Sequence, residues 1–208
     1  MSERYLKIPL SEAIVRELDV GEVVYLDGPI YTGRSLFHIR AVDQDILPPV
    51  DPEKMNVLVH AGPMMERVND GWRPISMTLT ASIRFDKYGP AIIKKLGIRA
   101  IVGKTTMGNE TMEAMKEHGT VHLTSVGVMT NILPRQVKKV LGVHFLDELG
   151  GTEATWMIEF EKAGPFIVDM DTRGNNLFRQ VNRDVERKFN KLYKKFGIPK
   201  GFRYTDVT

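Results

Sequence analysis

A row of polar side chains between residues 76 and 84 is the part of this sequence that most suggests chemistry. Four hydroxyl residues stand at every second position and an arginine continues the series: Ser76, Thr78, Thr80, Ser82 and Arg84. Alternate residues of a β-strand share one face of the sheet. The spacing therefore predicts a strand with one face lined by hydroxyl groups and ending in a guanidinium group.

Three loops that follow predicted strands each carry one basic residue: Arg34, Arg84 and Lys104. Ligands of open α/β sheets bind at the carboxyl ends of the strands, so these loops could converge there. Arginine grips a carboxylate through two parallel hydrogen bonds, and lysine adds a compact charge. A helix that starts near Gly108 would add its positive end close to Lys104. Together these features predict a site for a small dianion.

Each of these residues also has a simpler, structural interpretation. An arginine after a turn, for example, is usually a surface residue. Gly103-Lys104-Thr105 resembles the end of a phosphate-binding P-loop, but the glycine required five positions before Gly103 is Ile98, which excludes that motif. His60 begins a turn after a strand and is expected to be a hydrogen-bonded packing residue. The five histidines show no metal-ligand spacing, so no metal site is expected in this chain.

Composition excludes several classes of protein. The 208 residues, 42% hydrophobic and 26% charged, can form one large domain or one domain with a small appendage. A net charge of +3 argues against a dedicated nucleic-acid-binding protein. The chain has no cysteine, which excludes a disulfide scaffold and an iron–sulfur cluster held by this chain alone. The sequence shows no membrane span and no signal peptide, so a cytoplasmic protein is expected.

Short apolar runs alternate with helical stretches, which predicts an α/β fold with a partly parallel sheet. A turn is expected at Asp27-Gly28-Pro29, where glycine and proline stand together. Strands are expected at residues 21–26, 30–31, 56–60, 99–102, 121–124, 143–146, 155–161 and 166–171, and helices at 34–42, 88–96, 109–118 and 133–140.

The C-terminal segment 176–196 has the period of an amphipathic helix. Apolar residues recur at spacings of three and four, and the other face is basic. We interpret the basic face as a solvated surface of a helix that packs on the domain through its apolar stripe. The alternative is a stripe that binds phosphate groups or RNA, which the absence of interleaved aromatic residues disfavours.

Several motifs, taken in order, resemble the β subunit of class I, iron–sulfur-dependent fumarases and L-tartrate dehydratases. In single-chain members of that family this part is the C-terminal domain. The similarity is carried by Gly28-Pro29-Ile30-Tyr31-Thr32-Gly33-Arg34, His60-Ala61-Gly62-Pro63, residues 98–107, Glu153-Ala154-Thr155-Trp156 and residues 164–171.

The resemblance implies a swivelling β/β/α domain with a mixed, partly parallel sheet and a C-terminal amphipathic helix. It covers residues 1–178, and we expect residues 179–208 to form a basic helix and tail within the same unit. In the family a cysteine-bearing α subunit holds a [4Fe–4S] cluster, and the β subunit closes over it. The resemblance therefore implies such an α subunit as partner, in an αβ or β–β oligomer, with the cluster carried by that partner.

The resemblance also implies roles for individual residues. Arg34, Arg84 and Lys104 match the cations that bind the substrate's carboxylates, and Thr80 matches the residue that transfers the proton. Ser82 is expected to bind substrate as well, and His60 and Gly62 to support the site. The implied reaction is the reversible addition of water to a small dicarboxylate of the fumarate/malate type. L-tartrate or another hydroxy acid remains an alternative substrate, and a dicarboxylate-binding paralogue without catalytic activity remains an alternative function.

Overall fold

The computed structural model describes residues 2–69, 71–125, 127, 130–199 and 202. Its contacts divide the chain into two compact units, Met1–Asn176 and Leu177–Thr208. The division lies two residues before the boundary that the sequence suggests at residue 178. All of the site residues proposed from the sequence belong to the first unit.

From residue 89 to residue 125, helices and strands alternate as the sequence predicts. The strands are β1 (Glu3–Lys7), β2 (Val23–Thr32), β3 (Val57–Val59), β4 (Met64–Val68), β5 (Gly71–Ser76), β6 (Ala100–Gly103), β7 (Val121–Ser125), β8 (Val137–His144) and β9 (Thr155–Met170). The helices are α1 (Glu12–Arg16), α2 (Ser35–His38), α3 (Gly89–Leu96), α4 (Asn109–His118), α5 (Ile132–Arg135), α6 (Leu146–Leu149) and α7 (Leu177–Lys195), with a π-helical turn at Ile39–Asp43 and a 3₁₀ helix at Ser82–Tyr88.

A mixed sheet organises the first unit in the order β1-β2-β3-β6-β7-β9-β8. The neighbouring strands from β1 to β7 run parallel, and β9 runs antiparallel to β2, β7 and β8. Because β9 pairs with β2 as well as with β7, the five strands β2, β3, β6, β7 and β9 form a closed ring. The structure confirms the mixed α/β class, the partly parallel sheet and the C-terminal helix.

Two apolar clusters fill the two faces of this sheet. In β3, Val57 and Val59 belong to one cluster, whereas Leu58 between them belongs to the other. The same alternation separates Val102 from Ile101 in β6. The second cluster also contains the apolar faces of α3 and α4, so the helices cover that face. Strands buried on both faces explain the continuous apolar runs in the sequence.

The helix predicted at residues 133–140 is wrong. Helix α5 ends at Arg135, and Val137–His144 is strand β8, which pairs with β9. Val137, Val140 and Val143 pack against the first apolar cluster, so pairing with a distant strand outweighs the local three-residue spacing. The strand expected at residues 143–146 is the end of β8, which stops at His144.

The sequence predicts a break in the chain's strands at two places where the structure has one continuous strand. The turn expected at Asp27-Gly28-Pro29 lies inside β2, where Gly28 adopts a φ of +118° and the register with β9 shifts. The segments 155–161 and 166–171 are joined in the single strand β9. In both places the chain keeps its pairing through an irregularity, since neighbouring strands occupy both edges.

Candidate functional site

The polar row of residues 76–84 does not line one face of a strand, so that prediction is wrong. Strand β5 ends at Ser76, and the 3₁₀ helix begins at Ser82. The segment between them crosses the ends of two parallel strands, with bridges from Leu79 to Ala61 and from Ala81 to Lys104. Its hydroxyl groups therefore differ in their surroundings, although their spacing is regular.

Backbone hydrogen bonds interleave this segment with the ends of β3 and β6. The Thr80 amide donates to the carbonyl oxygen of His60 (2.6 Å), and the Lys104 amide donates to that of Thr80 (3.1 Å). The Ser82 amide in turn donates to the carbonyl oxygen of Lys104 (2.9 Å). The structure thus brings together Thr80, Lys104 and His60, which lie far apart in the sequence. The side chains of Thr80 and Lys104 remain partly exposed.

Arg34 reaches the same region from the end of β2. Atom Nη1 of Arg34 lies 3.4 Å from Oε1 of Glu153, and the other carboxylate oxygen of Glu153 accepts a hydrogen bond from the Leu36 amide (2.9 Å). A Cβ atom at Gly62 would lie 2.7 Å from Cδ and 2.8 Å from Nη1 of Arg34. Gly62 therefore makes room for the Arg34 side chain, two residues after His60.

Arg84 and Lys104 carry charges that the described part of the chain does not neutralise. Arg84 lies in the 3₁₀ helix, and its side chain is exposed. Among the described residues, no carboxylate oxygen lies within ion-pair distance of either side chain. Both cations are consequently available to an anionic ligand.

Residues 3–181 match the family model described as Fumarase C-terminus. The chain belongs to this fumarase family.

Relatives in the fumarase family carry two kinds of name. A Methanocaldococcus jannaschii protein provisionally named L(+)-tartrate dehydratase subunit beta is 39% identical over 88% of this chain and 95% of its own length. The L(+)-tartrate dehydratase subunit beta of Escherichia coli strain K12 is 30% identical over 86% of this chain and 88% of its own length. A Geobacillus stearothermophilus protein provisionally named fumarate hydratase class I is 37% identical over 90% of this chain, but the match covers only 36% of that longer protein.

Ser82 takes a different place from the one that the sequence suggests for a substrate-binding residue of this family. Its side chain is fully buried, and its Oγ lies 2.9 Å from Nδ1 of His60 and 2.7 Å from Nε2 of His122. The Nδ1 atom of His122 lies 2.5 Å from Oδ1 of Asp169, and both of these residues are fully buried. In this structure the Ser82 hydroxyl therefore faces the interior, directly behind the segment that carries Thr80.

His60 is a hydrogen-bonded packing residue, as the sequence predicts. Its ring contacts the rings of His38 and Phe85 edge to face. Burial lowers the pKa of His60 well below its usual value, with smaller contributions from His38 and His122 in the same direction. Burial also lowers the pKa of His38 to about 4, although a hydrogen bond to the Arg34 carbonyl oxygen opposes the shift. Both rings are neutral near pH 7 and add no positive charge to the site.

The residues of this chain do not fit an iron–sulfur cluster. The sequence contains no cysteine, and the described residues contain no group of histidine and acidic side chains that could hold a metal ion. A cluster would have to be bound by another polypeptide. In the described part of the chain no helix has the length and apolar character needed to cross a membrane.

Sequence reasoning did not identify Glu153, His122 and Asp169 as parts of the site. Glu153 lies inside a motif that carries the family resemblance, but nothing local links it to Arg34. His122 stands between Val121 and Leu123, and Asp169 stands between Val168 and Met170. A polar residue between buried apolar neighbours needs a buried partner. That requirement could have indicated from the sequence that His122 and Asp169 have buried hydrogen-bond partners.

Proposed function

We propose that this chain is the β subunit of a two-subunit hydro-lyase that reversibly adds water to a small dicarboxylate of the fumarate/malate type. The observation that carries the proposal is the interleaving of the Thr80 and Lys104 backbones, beside the loop whose Gly62 accommodates Arg34. Membership of the fumarase family and the names of the relatives support the same reaction class.

L-tartrate is the second candidate substrate. Two relatives that match this chain over most of their length are named as tartrate dehydratase β subunits. Tartrate and malate both present two carboxylates and a hydroxyl group, so both suit a site built from two arginines and a lysine. The proposed cation site therefore serves either substrate, and direct comparison of the acids has to separate them.

In the proposed mechanism the cations bind the substrate and stabilise charge. Removing a proton from the carbon next to a carboxylate moves negative charge onto that carboxylate. Arg34, Arg84 and Lys104 would stabilise this charge where it develops. Arg84 and Lys104 suit the role because no described carboxylate pairs with them, and Glu153 holds the guanidinium group of Arg34 in place.

Thr80 is proposed to transfer the proton. A threonine hydroxyl is a weak base, so a neighbouring cation such as Arg34 would have to stabilise its alkoxide. The two hydrogen bonds of the Thr80 backbone hold this residue in a defined position, which favours efficient proton transfer.

We propose that a cysteine-bearing α subunit provides the [4Fe–4S] cluster. When bound, such a cluster supplies a Lewis acid for the leaving hydroxyl group. This chain would contribute the carboxylate-binding cations and the proton-transferring hydroxyl group, and would be inactive without its partner.

The test is anaerobic co-expression of the full chain with the proposed cysteine-bearing α subunit, followed by cluster reconstitution. Absorbance of the carbon–carbon double bond would be followed with fumarate/malate, mesaconate/citramalate and tartrate. We expect turnover of one of these acids, and a loss of roughly 100-fold or more in kcat/KM for Arg84→Ala and for Lys104→Ala. Lys94→Ala, which removes an exposed lysine on α3, is the matched control and should retain activity.

Three results would contradict the proposal. Failure of the chain to bind any cluster-bearing partner would refute the assignment as a subunit. A cluster-loaded complex that binds dicarboxylates but converts none of them would instead support the non-catalytic paralogue. Equal activity of Lys104→Ala and Lys94→Ala would refute the assigned role of Lys104.

A further inference from the structure

Four buried side chains form a continuous hydrogen-bonded chain behind the Thr80 segment. Asp169 in β9 contacts His122 in β7, His122 contacts Ser82, and Ser82 contacts His60 at the end of β3. None of the four side chains is more than marginally exposed to solvent. We call this set the buried histidine chain.

Ser82, His122 and Asp169 have the side-chain order of a hydrolytic triad, but access excludes that activity. Ser82 is fully buried, and its Oγ is enclosed by two imidazole rings and the backbone of Gly103. A Cβ atom at Gly103 would lie only 1.9 Å from this oxygen. A carbonyl group has no room to approach the hydroxyl. The buried histidine chain therefore cannot attack a substrate and can affect only the residues packed around it.

A carboxylate that accepts at one end would set the direction of every hydrogen bond in the chain. With Asp169 as the acceptor, Nδ1 of His122 donates to its Oδ1, and Nε2 of His122 accepts from Ser82. The Ser82 hydroxyl has a single proton, which this bond uses. Nδ1 of His60 must therefore donate to the Ser82 oxygen, which leaves a lone pair on Nε2 of His60.

The environment of His60 agrees with this direction. Its Nε2 atom is buried and has no hydrogen-bond partner in the described part of the chain. A bare nitrogen there leaves no N–H group unpaired, and buried N–H groups without a partner are rarer in proteins than buried acceptors without one. The opposite direction would place a proton on that nitrogen. Burial also lowers the pKa of His60, which keeps the ring neutral.

We propose that the buried histidine chain positions Thr80 and Lys104, so that His122 and Asp169 are positioning residues of the site. Ser82 is the junction, because its side chain belongs to the buried chain while its amide donates to the Lys104 carbonyl oxygen. Thr80 lies two residues before Ser82 and is bonded to His60 and Lys104 through its backbone. Holding Ser82 in one position therefore also holds Thr80 and Lys104 in position. The assignment rests on the proposed function for its catalytic consequence only.

The test compares Ser82→Ala with Thr120→Val. Thr120, which lies just before the first residue of β7, is also fully buried, and its hydroxyl donates to the Ile98 carbonyl oxygen (2.6 Å). Each substitution deletes one buried hydroxyl group, so a purely structural role predicts equal effects. Asp169→Asn is the second variant, since it keeps the shape of the side chain and replaces one carboxylate oxygen with an NH₂ group, which cannot accept a hydrogen bond.

Two measurements on the full chain do not require catalysis. Amide hydrogen exchange at Thr80, Ser82 and Lys104 should be about tenfold faster in Ser82→Ala than in Thr120→Val. Long-range ¹H–¹⁵N spectra should show both His60 and His122 protonated at Nδ1, and Asp169→Asn should change that pattern. Equal exchange in the two hydroxyl variants, or a wild-type ring protonated at Nε2, would overturn the proposal.

The assembled enzyme provides the third measurement. Ser82→Ala should lower kcat by about 10- to 100-fold with little change in KM, whereas Thr120→Val should leave kcat unchanged. Equal kcat values would also overturn the positioning role. A wild-type complex that turns over no acid would contradict the proposed function but not the positioning role. The exchange rates and tautomers would still decide whether the buried histidine chain positions the Thr80 segment.

Discussion

At the scale of single residues, Glu153 is an ion-pair partner of Arg34, which is proposed to bind a substrate carboxylate. Its carboxylate pairs with Arg34 and also accepts from the Leu36 amide. Glu153→Gln can keep the bond to Leu36 but removes the competing negative charge. We expect KM for the dicarboxylate to fall about two- to fivefold, as measured with the assembled enzyme.

Glu153→Ala serves as the comparison for that prediction. Alanine removes both the charge and the acceptor for the Leu36 amide, so Arg34 loses its anchor and KM should rise. If glutamine and alanine raised KM equally, the Glu153 charge would be needed to orient Arg34 and would not compete with substrate.

The depressed pKa of His38 predicts a pH dependence of stability. The folded pKa of about 4 lies below the usual value of 6.5, so below pH 6.5 the unfolded chain binds a proton that the folded chain does not. The free energy of unfolding should therefore fall by about 1.4 kcal/mol per pH unit as pH drops from 6.5 towards 4. Above pH 6.5, His38 is neutral in both states and this loss of stability is absent. Urea denaturation of wild type and His38→Gln at pH 7, 6 and 5 would measure it.

The difference between the two proteins isolates His38 from the other titrating groups. Glutamine cannot bind the proton and can still donate to the Arg34 carbonyl oxygen, so the variant should lose about 2 kcal/mol less than wild type between pH 6.5 and pH 5. Identical slopes in both proteins would show that His38 is not the group responsible.

At the scale of elements, the absence of a side chain at Gly103 lets β6 approach the Thr80 segment. A Cβ atom there would lie 1.9 Å from the Ser82 hydroxyl and 3.3 Å from the Thr80 carbonyl oxygen. Gly103→Ala should lower the free energy of unfolding by about 1–3 kcal/mol, because neither atom can move without breaking hydrogen bonds. Gly151→Ala is the control, since nothing lies within 4 Å of the added carbon. Equal stability of the two variants in urea would contradict this account.

The elements also show which parts of the fold the sequence can predict. Helix α4 spans the predicted residues Asn109–His118, because Gly108 precedes it and Gly119 ends it with a φ of +64°. The first half of β8, residues 137–140, is predicted as the end of a helix, since Val137 and Val140 three residues apart suit either structure until β9 pairs with them. The hydroxyl row failed for the same reason: its bonding partners, His60 and Lys104, come from distant strands.

The candidate site shows the same limit, because contacts between distant parts of the chain cannot be predicted from local sequence. Loops and motifs were enough to propose Arg34, Arg84 and Lys104 as carboxylate-binding residues and Thr80 as the residue that transfers the proton. Their supporting contacts could not, because Glu153 and Asp169 reach the site only through pairing of the long strand β9 and the loop before it. Ser82 shows the limit most clearly: its spacing suggests the site surface, whereas its burial between two histidines depends on the closed sheet.

At the scale of the whole molecule, the first unit contains every strand of the closed sheet and ends at Asn176. That residue is buried, forms a bridge with Met170 and donates to the Thr106 hydroxyl (2.7 Å). We therefore predict that a chain ending at Asn176 unfolds cooperatively, with Tm within about 4 °C of the full chain. Differential scanning calorimetry would measure both.

A chain ending at Thr172 is the matched control for this truncation. It also lacks Asn175, whose amide donates to Asp171 (2.9 Å), and the contact of Asn176 with Thr106. Because these bonds close the end of β9, its Tm should fall clearly below that of the chain ending at Asn176. If both truncations lowered Tm equally and by more than about 4 °C, residues 177–208 would contribute to the stability of the first unit, which would agree with the single unit expected from the sequence. The two chains therefore decide where the folding unit of the fumarase-like domain ends.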